Sequence, residues 1–323
     1  MKQKEYLLKS IKIALAALIS IAIAGKLELV NSATAGIITI LSIQNTKRET
    51  LRSAGRRGLA YLCALSLAAV VFGCFGYTLP VFAIYLFLFS LFCLNRGWPE
   101  TISMASVLVT HFLEAENMST GMVVNESLLF VIGAGIGILV NLHLHRKSEE
   151  FGKLAEEVDA QVKGILLRMS RLLMVEDKSG FRPDCFEKLE GYLEAARLCA
   201  ATNYNNQLWL QDTYELDYVA MRQQQAVVLQ GIYESIASIG YHPSQAEQVA
   251  ELINEIHNQY HKENTAEKLL MQLQELVDRM RKEQLPASRE EFEARAILFY
   301  ILTQLKRLMM IKRDFILKNV GFR

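Results

Sequence analysis

The feature of this sequence that most limits its fold is a stretch from residue 58 to residue 95 that contains no charged residue. The stretch is about twice as long as the ~20 apolar residues that one helix needs to cross a bilayer. Gly73, Gly76 and Pro80 interrupt its middle, and glycine and proline are typical of turns. We therefore predict two membrane-spanning helices joined by a short turn.

Other apolar stretches extend this prediction along the first half of the chain. Residues 127–142 form a third clear span. Residues 11–25 and 101–113 are short for a span, and residues 29–46 are polar at both ends. We predict about six transmembrane helices in residues 1–145. Whether these three weaker stretches cross the whole bilayer does not follow from the sequence.

The N-terminus allows a second interpretation. Four lysines precede the apolar residues 13–24, which end in Ala22-Ile23-Ala24. That arrangement is similar to a secretory signal peptide with a small-residue cleavage site. We favour a retained first span, because further spans follow and the charges fit an uncleaved start.

The distribution of Lys and Arg predicts the orientation. With six spans, the basic segments all fall on one side of the membrane, and the connections on the other side carry almost no Lys or Arg. Because basic loops remain cytoplasmic, we predict a multi-pass protein of the plasma membrane with both termini in the cytoplasm. The basic residues are Lys2, Lys4, Lys9 and Lys12, then Lys47, Arg48, Arg52, Arg56 and Arg57, then Arg96, and finally Arg146 and Lys147.

The second half of the chain has a different composition. Residues 1–145 are thinly charged with a net charge of +4, whereas residues 146–323 carry many charges of both signs and a net charge of −3. We predict a transmembrane domain over residues 1–145 and a cytoplasmic, all-helical domain over residues 146–323. Nucleic-acid binding is not expected, since it needs a basic face.

The helical prediction for the second half rests on apolar spacing. Apolar residues recur every three or four positions from Phe151 to Leu172, which is typical of an amphipathic helix. We expect this helix to continue from the last membrane span with little interruption. No convincing strand appears, so the fold class is all-α, with a bundle of further helices. We predict five such helices. The first begins at Pro183, the second covers residues 207–239, and the third begins with a cap formed by Ser244 and Glu247. The fourth covers residues 270–280, and the fifth begins with a cap formed by Ser288 and Glu291.

The sequence predicts neither an enzyme nor a cofactor. The glycine-rich run from Gly133 to Gly137 lacks the strand and the later acidic residue of a nucleotide-binding fingerprint. Gly133 and Gly137 instead form a face for close helix packing in lipid, and Ala60 and Ala64 form a similar face. The alternative for these faces is a gap beside a substrate path.

Metal binding is not expected either. The five cysteines include no C-x-x-C pair, and an odd number gives no disulfide framework. His257 and His261 lie four residues apart, but two ligands alone favour a solvated helix face. His143 and His145 are two residues apart and do not share a helix face.

Polar residues within the apolar stretches are the candidate pathway residues, because polar groups are costly at membrane depth. Gln44 and Asn45 end the second stretch, Asn141 lies near the end of the last one, and Glu126 lies near its start. One interpretation is that these groups contact water or headgroups. The functional interpretation is that Glu126 is a proton-coupling carboxylate and that the amides form a polar gate.

The basic loop also has two interpretations. Its charges orient the protein in the membrane, and Arg56, Arg57 and Arg96 would in addition raise the local concentration of an anionic substrate at the cytoplasmic mouth.

The order of these features resembles the aromatic acid exporter family, which is related to the fusaric acid resistance proteins, in its short Gram-positive-type branch with a helical C-terminal domain. Gln44, Thr46 and Arg57 match the loop pattern of that family, and Gly133, Gly137 and Asn141 match its last span. Asn45 stands where proline is usual, and Ala60 and Ala64 stand where glycine is usual. These departures weaken the transfer of substrate identity.

The resemblance implies efflux of small organic, often aromatic, carboxylates across a bacterial-type plasma membrane. Longer relatives resemble two such halves fused, which implies a homodimer. The implied partners are therefore the lipid bilayer, a small organic anion and a second copy of the chain. The alternative function is a membrane-anchored sensor or scaffold whose helical cytoplasmic domain binds a partner.

Overall fold

The computed structural model describes residues 2–142, 147–178, 184–209, 212–259 and 266–319. Within these residues the protein is all-helical, as predicted, with twelve α-helices and one short 3-10 helix, Pro99–Thr101. The helices are α1 (Lys2–Lys26), α2 (Ala33–Ser42), α3 (Lys47–Phe75), α4 (Leu79–Asn95), α5 (Ile102–Glu114), α6 (Thr120–Leu142), α7 (Ser148–Leu173), α8 (Asp184–Asn205), α9 (Tyr214–Ala237), α10 (Gln245–Asn258), α11 (Glu267–Met280) and α12 (Arg289–Asn319).

The chain divides into two compact units. One contains α1 to α6 together with residues 205–209, and the other contains α7 to α12. We call them the apolar unit and the helical unit.

The lengths of the apolar helices decide how each can meet a bilayer. Three are long and apolar enough to cross it, namely Tyr6–Lys26 within α1, Lys47–Phe75 and Thr120–Leu142. α2 has 10 residues and therefore rises about 15 Å, half of a ~30 Å hydrocarbon core. α4 is also apolar, and with 17 residues it is longer than α2 but shorter than the three long helices.

Large apolar side chains cover much of the outer surface of the apolar unit. Leu18, Leu62, Val70, Phe87 and Leu139 are each more than half exposed. A soluble protein rarely exposes such extensive apolar surface, and contact with lipid explains it. The apolar unit is therefore a membrane domain.

Glycines allow α2 to pack closely between α1 and α6. A Cβ atom added to Gly133 would lie 2.6 Å from the carbonyl oxygen of Ala35 and 2.7 Å from the Cβ of Ile38. A Cβ atom added to Gly137 would lie 2.6 Å from the Cβ of Ser42. These two positions on α6 therefore contact the backbone of α2 directly, as expected for small residues at helix interfaces in lipid.

Ala60 and Ala64 lie in a second hydrophobic cluster of the same unit. Both are fully buried on α3 and pack in a cluster that includes Phe89 of α4 and Val109 and Phe112 of α5. Their small side chains leave room for those aromatic rings.

The helical unit has a core of buried aliphatic side chains. Ile165 of α7, Leu229 of α9, Ile253 of α10 and Leu298 of α12 are almost completely buried in it. α8 adds Phe186, whose ring contacts that of Tyr233 edge to face at 5.4 Å.

Two local predictions for this unit were wrong. α9 begins at Tyr214 rather than at residue 207, because the Asp212 carboxylate accepts the backbone N–H of Tyr214 at 2.9 Å and offers a non-helical turn. Ser244 has helical backbone angles and forms no side-chain cap. Its neighbour Ala246 instead donates its N–H to the Pro243 carbonyl.

The cap predicted at Ser288 is confirmed. The Ser288 hydroxyl accepts the backbone N–H of Glu291 at 3.2 Å, and the Glu291 carboxylate accepts the backbone N–H of Ala287 at 2.9 Å. The expected continuity between the last membrane helix and α7, the start at Pro183, and the histidines His143, His145 and His261 lie outside the described residues.

A buried polar cluster ties α7, α9 and α12 together. The carboxylate of Asp159 accepts from the guanidinium of Arg222 at 2.7 Å and from the hydroxyl of Tyr218 at 2.5 Å. Gln225 accepts from Arg222 at 2.6 Å and donates to the carbonyl of Leu308 at 3.0 Å. One turn beyond Leu308 on α12, the side chain of Lys312 is also buried.

Replacing Lys312 by Met is expected to change the pH dependence of stability. Burial, and next the charge of Arg222, lower the pKa of Lys312 from 10.5 to about 8, against the attraction of Asp159. Between about pH 8 and pH 10.5, Lys312 holds its proton in the unfolded chain but not in the folded one. The free energy of unfolding of the wild type therefore rises with pH in this range. Met has no ionisable group and lacks this dependence on pH. The amount by which the free energy of unfolding of the Met variant exceeds that of the wild type should therefore shrink between about pH 8 and pH 10.5.

Thermal unfolding of the full-length protein in detergent, at several pH values, measures this difference. Lys306→Met is the control, because Lys306 is exposed on the same helix. Equal pH profiles for the wild type and the Lys312 variant would contradict the prediction.

Candidate transport pathway

The buried face of α2 carries hydroxyl groups at both ends and in the middle. Thr34, Thr39 and Ser42 are all buried there. Each one contacts a polar group on another helix, so three polar clusters follow one another along α2. We call this series the α2 polar axis.

The first cluster contains a buried acid and histidine. His111 of α5 and Glu126 of α6 approach to 2.6 Å between Nδ1 and Oε2. The side chain of Glu126 is 0% exposed and that of His111 is 9% exposed. Nε2 of the same ring lies 3.5 Å from the hydroxyl of Thr34. At 2.6 Å, Nδ1 and Oε2 must share a proton in a hydrogen bond.

An asparagine beside this pair holds the connection between α1 and α2. Asn125 donates to the Glu126 carboxylate at 2.9 Å. Its side-chain amide also accepts the N–H of Val30 at 2.9 Å and donates to the Val30 carbonyl at 3.2 Å. Glu28 and Asn31 on either side have positive φ angles of 54° and 60°, so this connection is not helical. Asn125 supplies the hydrogen bonds that a helix would otherwise provide.

The second cluster lies halfway along α2. The hydroxyls of Ser20 and Thr39 are 2.5 Å apart, and Thr39 is also 3.0 Å from the carbonyl oxygen of Gly133. Ser20, Thr39 and Gly133 belong to α1, α2 and α6, so this cluster joins α2 to α1 and to α6.

The third cluster lies at the end of α2. Asn141 of α6 donates to the Gln44 carbonyl at 2.8 Å and to the Thr50 hydroxyl at 2.8 Å. Arg57 of α3 donates to the Ser42 hydroxyl at 3.2 Å and is 3% exposed. Asn141 thus supports the non-helical backbone after α2 as Asn125 supports the backbone before it.

A cleft of about 360 Å³ adjoins this third cluster. Its walls come from α1, from the connection between α2 and α3, and from α6. The polar lining residues are Tyr6, Lys9, Lys12, Gln44, Asn45 and Asn141, and the apolar ones are Leu8, Ile13 and Ile43.

Comparison with known proteins agrees with this architecture. Residues 6–144 match the family described as aromatic acid exporter family member 1, and residues 148–313 match the aromatic acid exporter C-terminal domain. The chain belongs to the aromatic acid exporter family. The resemblance inferred from the sequence is therefore confirmed, and the membership indicates a membrane transporter.

Two individual proteins similar to this chain have low sequence identity to it. The protein YqjA of Bacillus subtilis (strain 168), described as uncharacterized, is 28% identical over 307 residues, which cover 95% of this chain and 95% of YqjA. A crystal structure described as that of a membrane protein from Clostridium difficile 630 is 25% identical, with a TM-score of 0.46, and covers 51% of this chain and 98% of its own.

In this exporter-family protein, the pathway residues that were predicted from the sequence lie in different parts of the membrane domain. Gln44, Asn45 and Asn141 line one cleft, and Arg57 contacts Ser42 beside them. Glu126 is 15 positions from Asn141 on α6, or about 22 Å along the helix.

The remaining two arginines lie away from the cleft. Arg56 is half-exposed and pairs with Glu100 at 3.4 Å. Arg96 is exposed, with its guanidinium carbon 5.8 Å from the centre of the Phe92 ring.

Sequence reasoning missed His111 and Asn125. His111 is an ionisable residue within an apolar stretch, and that signal alone marks a functional candidate. Asn125 directly precedes Glu126, but its role depends on the non-helical backbone at Val30, which the sequence does not reveal.

Proposed function

We propose that this protein exports small organic, often aromatic, carboxylate anions across a bacterial plasma membrane, with the proton gradient as the energy source. The observation that carries the proposal is the buried His111 and Glu126 pair, at 2.6 Å within the membrane domain. Ionisable groups in such positions are costly and commonly serve as proton relays.

The pair offers a simple route to coupling. With one shared proton it is either neutral or an internal ion pair, so its net charge is zero. A second proton gives it a charge of +1 in a site closed to water. Since burying an uncompensated charge is strongly unfavourable, protonation would favour a different packing of α5 against α6. Proton entry could then drive anion exit by shifting the population between two arrangements.

We propose six membrane segments, with both termini and the helical unit in the cytoplasm. Of the six, α1, α3, α4 and α6 would form ordinary spans or near-spans, α5 would form a shorter segment, and the crossing of α2 would be completed by its non-helical flanks. Asn125 and Asn141 support this, because their bonds to Val30 and Gln44 satisfy backbone groups that lipid leaves unsatisfied. The expected assembly is a homodimer, by the resemblance to fused longer relatives.

Transport into vesicles tests the function. Full-length protein in proteoliposomes, with and without a pH gradient, should move labelled benzoate and related aromatic carboxylates in a gradient-dependent manner. Empty liposomes are the control. Absence of movement across a broad acid panel, with the protein shown to be folded and inserted, would favour the alternative of a membrane-anchored scaffold, and a pull-down with the full chain would follow.

A further inference from the structure

The lining of the cleft beside the third polar cluster contains two cations, Lys9 and Lys12. Among the residues whose side chains the structure describes, Lys9 and Lys12 are the charged residues of its lining, and no carboxylate is among them. The ammonium of Lys9 contacts the side-chain oxygen of Asn45 at 2.9 Å, a neutral acceptor. Among the described residues, neither lysine forms an ion pair. The cleft is therefore positively charged.

The free donors of the cleft match an oxyanion. A lysine ammonium has three N–H donors and no acceptor, so the bond to Asn45 leaves two donors of Lys9 for another group. Lys12 is partly buried one turn further along α1. A partly buried cation without a counterion is unfavourable, and an anion in the cleft would offset that cost.

The rest of the lining matches a small hydrocarbon body. Ile13 and Ile43 supply apolar walls, and the amides of Gln44 and Asn45 supply polar groups. The volume of about 360 Å³ lies in the range of roughly 300–1,000 Å³ that is typical of small-molecule pockets. Such a site suits a molecule with one anionic group and one apolar ring.

We propose that this cleft binds the carboxylate substrate at the end of the α2 polar axis, with Lys9 and Lys12 facing its carboxylate and Ile13 and Ile43 contacting its ring. The proposal rests on the proposed function for the identity of the ligand. Asn141 links the site to the axis, since it lines the cleft and also donates to Thr50.

Equilibrium binding of labelled benzoate to the full-length protein tests the site. The protein is placed in nanodiscs of phosphatidylcholine, and benzyl alcohol serves as the uncharged probe. We expect benzoate to bind and benzyl alcohol not to compete. Lys9→Gln combined with Lys12→Gln should weaken benzoate binding about tenfold, as expected for the loss of two charged contacts.

Matched variants separate charge recognition from effects on insertion. Lys26→Gln removes an exposed lysine at the other end of α1 and should leave binding unchanged. Lys12→Arg keeps the charge and should retain most of the binding. Unchanged affinity in the double variant, or no binding of benzoate to the folded wild type, would overturn the site.

An anionic lipid headgroup is the other source of a suitable oxyanion, since basic residues near the inner leaflet attract such lipids. Nanodiscs that contain phosphatidylglycerol distinguish the two. Continued benzoate binding supports the site, whereas displacement by phosphatidylglycerol that depends on Lys9 and Lys12 would make this a lipid site and overturn the proposal.

Benzoate transport in proteoliposomes, measured in parallel, separates the two proposals. Transport by the wild type together with lysine-independent binding would refute only the cleft. Lysine-dependent binding without any transport would refute only the transport function.

Discussion

Replacing Glu126 by Gln is expected to abolish the dependence of carboxylate efflux on the proton gradient. Gln has nearly the same shape and can keep hydrogen bonds to His111 and Asn125, which lie 2.6 and 2.9 Å from the carboxylate. Unlike the carboxylate, the Gln amide cannot bind and release a proton. The fold should persist while coupling is lost, and efflux from proteoliposomes with and without a pH gradient measures the change.

Truncation of the same side chain should instead affect the fold. Glu126→Ala leaves the His111 Nδ1 buried without its hydrogen-bond partner, and a buried polar group left unsatisfied costs roughly 1–3 kcal/mol. Comparing the Gln and Ala variants by thermal unfolding in detergent therefore separates the proton-binding role from the structural role.

A nearby exposed acid provides the control. Glu114→Gln removes a carboxylate three residues after His111 on α5, where the side chain faces solvent. Efflux should then remain gradient-dependent. If Glu126→Gln also kept full gradient-dependent efflux, the His111 and Glu126 pair would not couple transport to protons.

Sequence patterns predicted the class of the fold because that class follows from composition. The charge-free residues 58–95 form the second part of α3 and all of α4, with a break at Gly76, as the turn residues indicated. Asn141 and Glu126 were recognisable as candidates because each is a polar residue in an apolar stretch.

The roles of those candidates could not be predicted, because they depend on contacts between distant parts of the chain. Asn141 supports the backbone at Gln44, 97 positions away. His111 lies only 15 positions from Glu126, but residues 101–113 are short for a membrane span, so the sequence does not indicate that His111 is buried within the membrane. The shortness of α2 makes both flanks non-helical, and no local pattern in residues 29–46 reveals where the helix ends.

The final prediction concerns the close contact between α6 and α2, which holds the polar axis in place. Gly133→Ala should destabilise the membrane domain and lower transport. The added methyl would lie 2.6 Å from the Ala35 carbonyl oxygen and 2.7 Å from the Ile38 Cβ, which are a backbone atom of α2 and an atom bonded directly to its backbone. Such overpacking typically costs about 1–3 kcal/mol.

The same helix contains an almost ideal control at Gly135. A Cβ atom at this position would have no neighbour within 4 Å, and alanine is intrinsically more favourable than glycine in a helix by about 1 kcal/mol. Gly135→Ala should therefore be neutral or stabilising, whereas Gly133→Ala, with the same intrinsic gain, should unfold at a lower temperature. Equal melting temperatures for the two variants in detergent would show that α2 can move away from α6 at little cost. The hydrogen bond of the Thr39 hydroxyl to the Gly133 carbonyl, at 3.0 Å, would then not hold α2 in one position against α6.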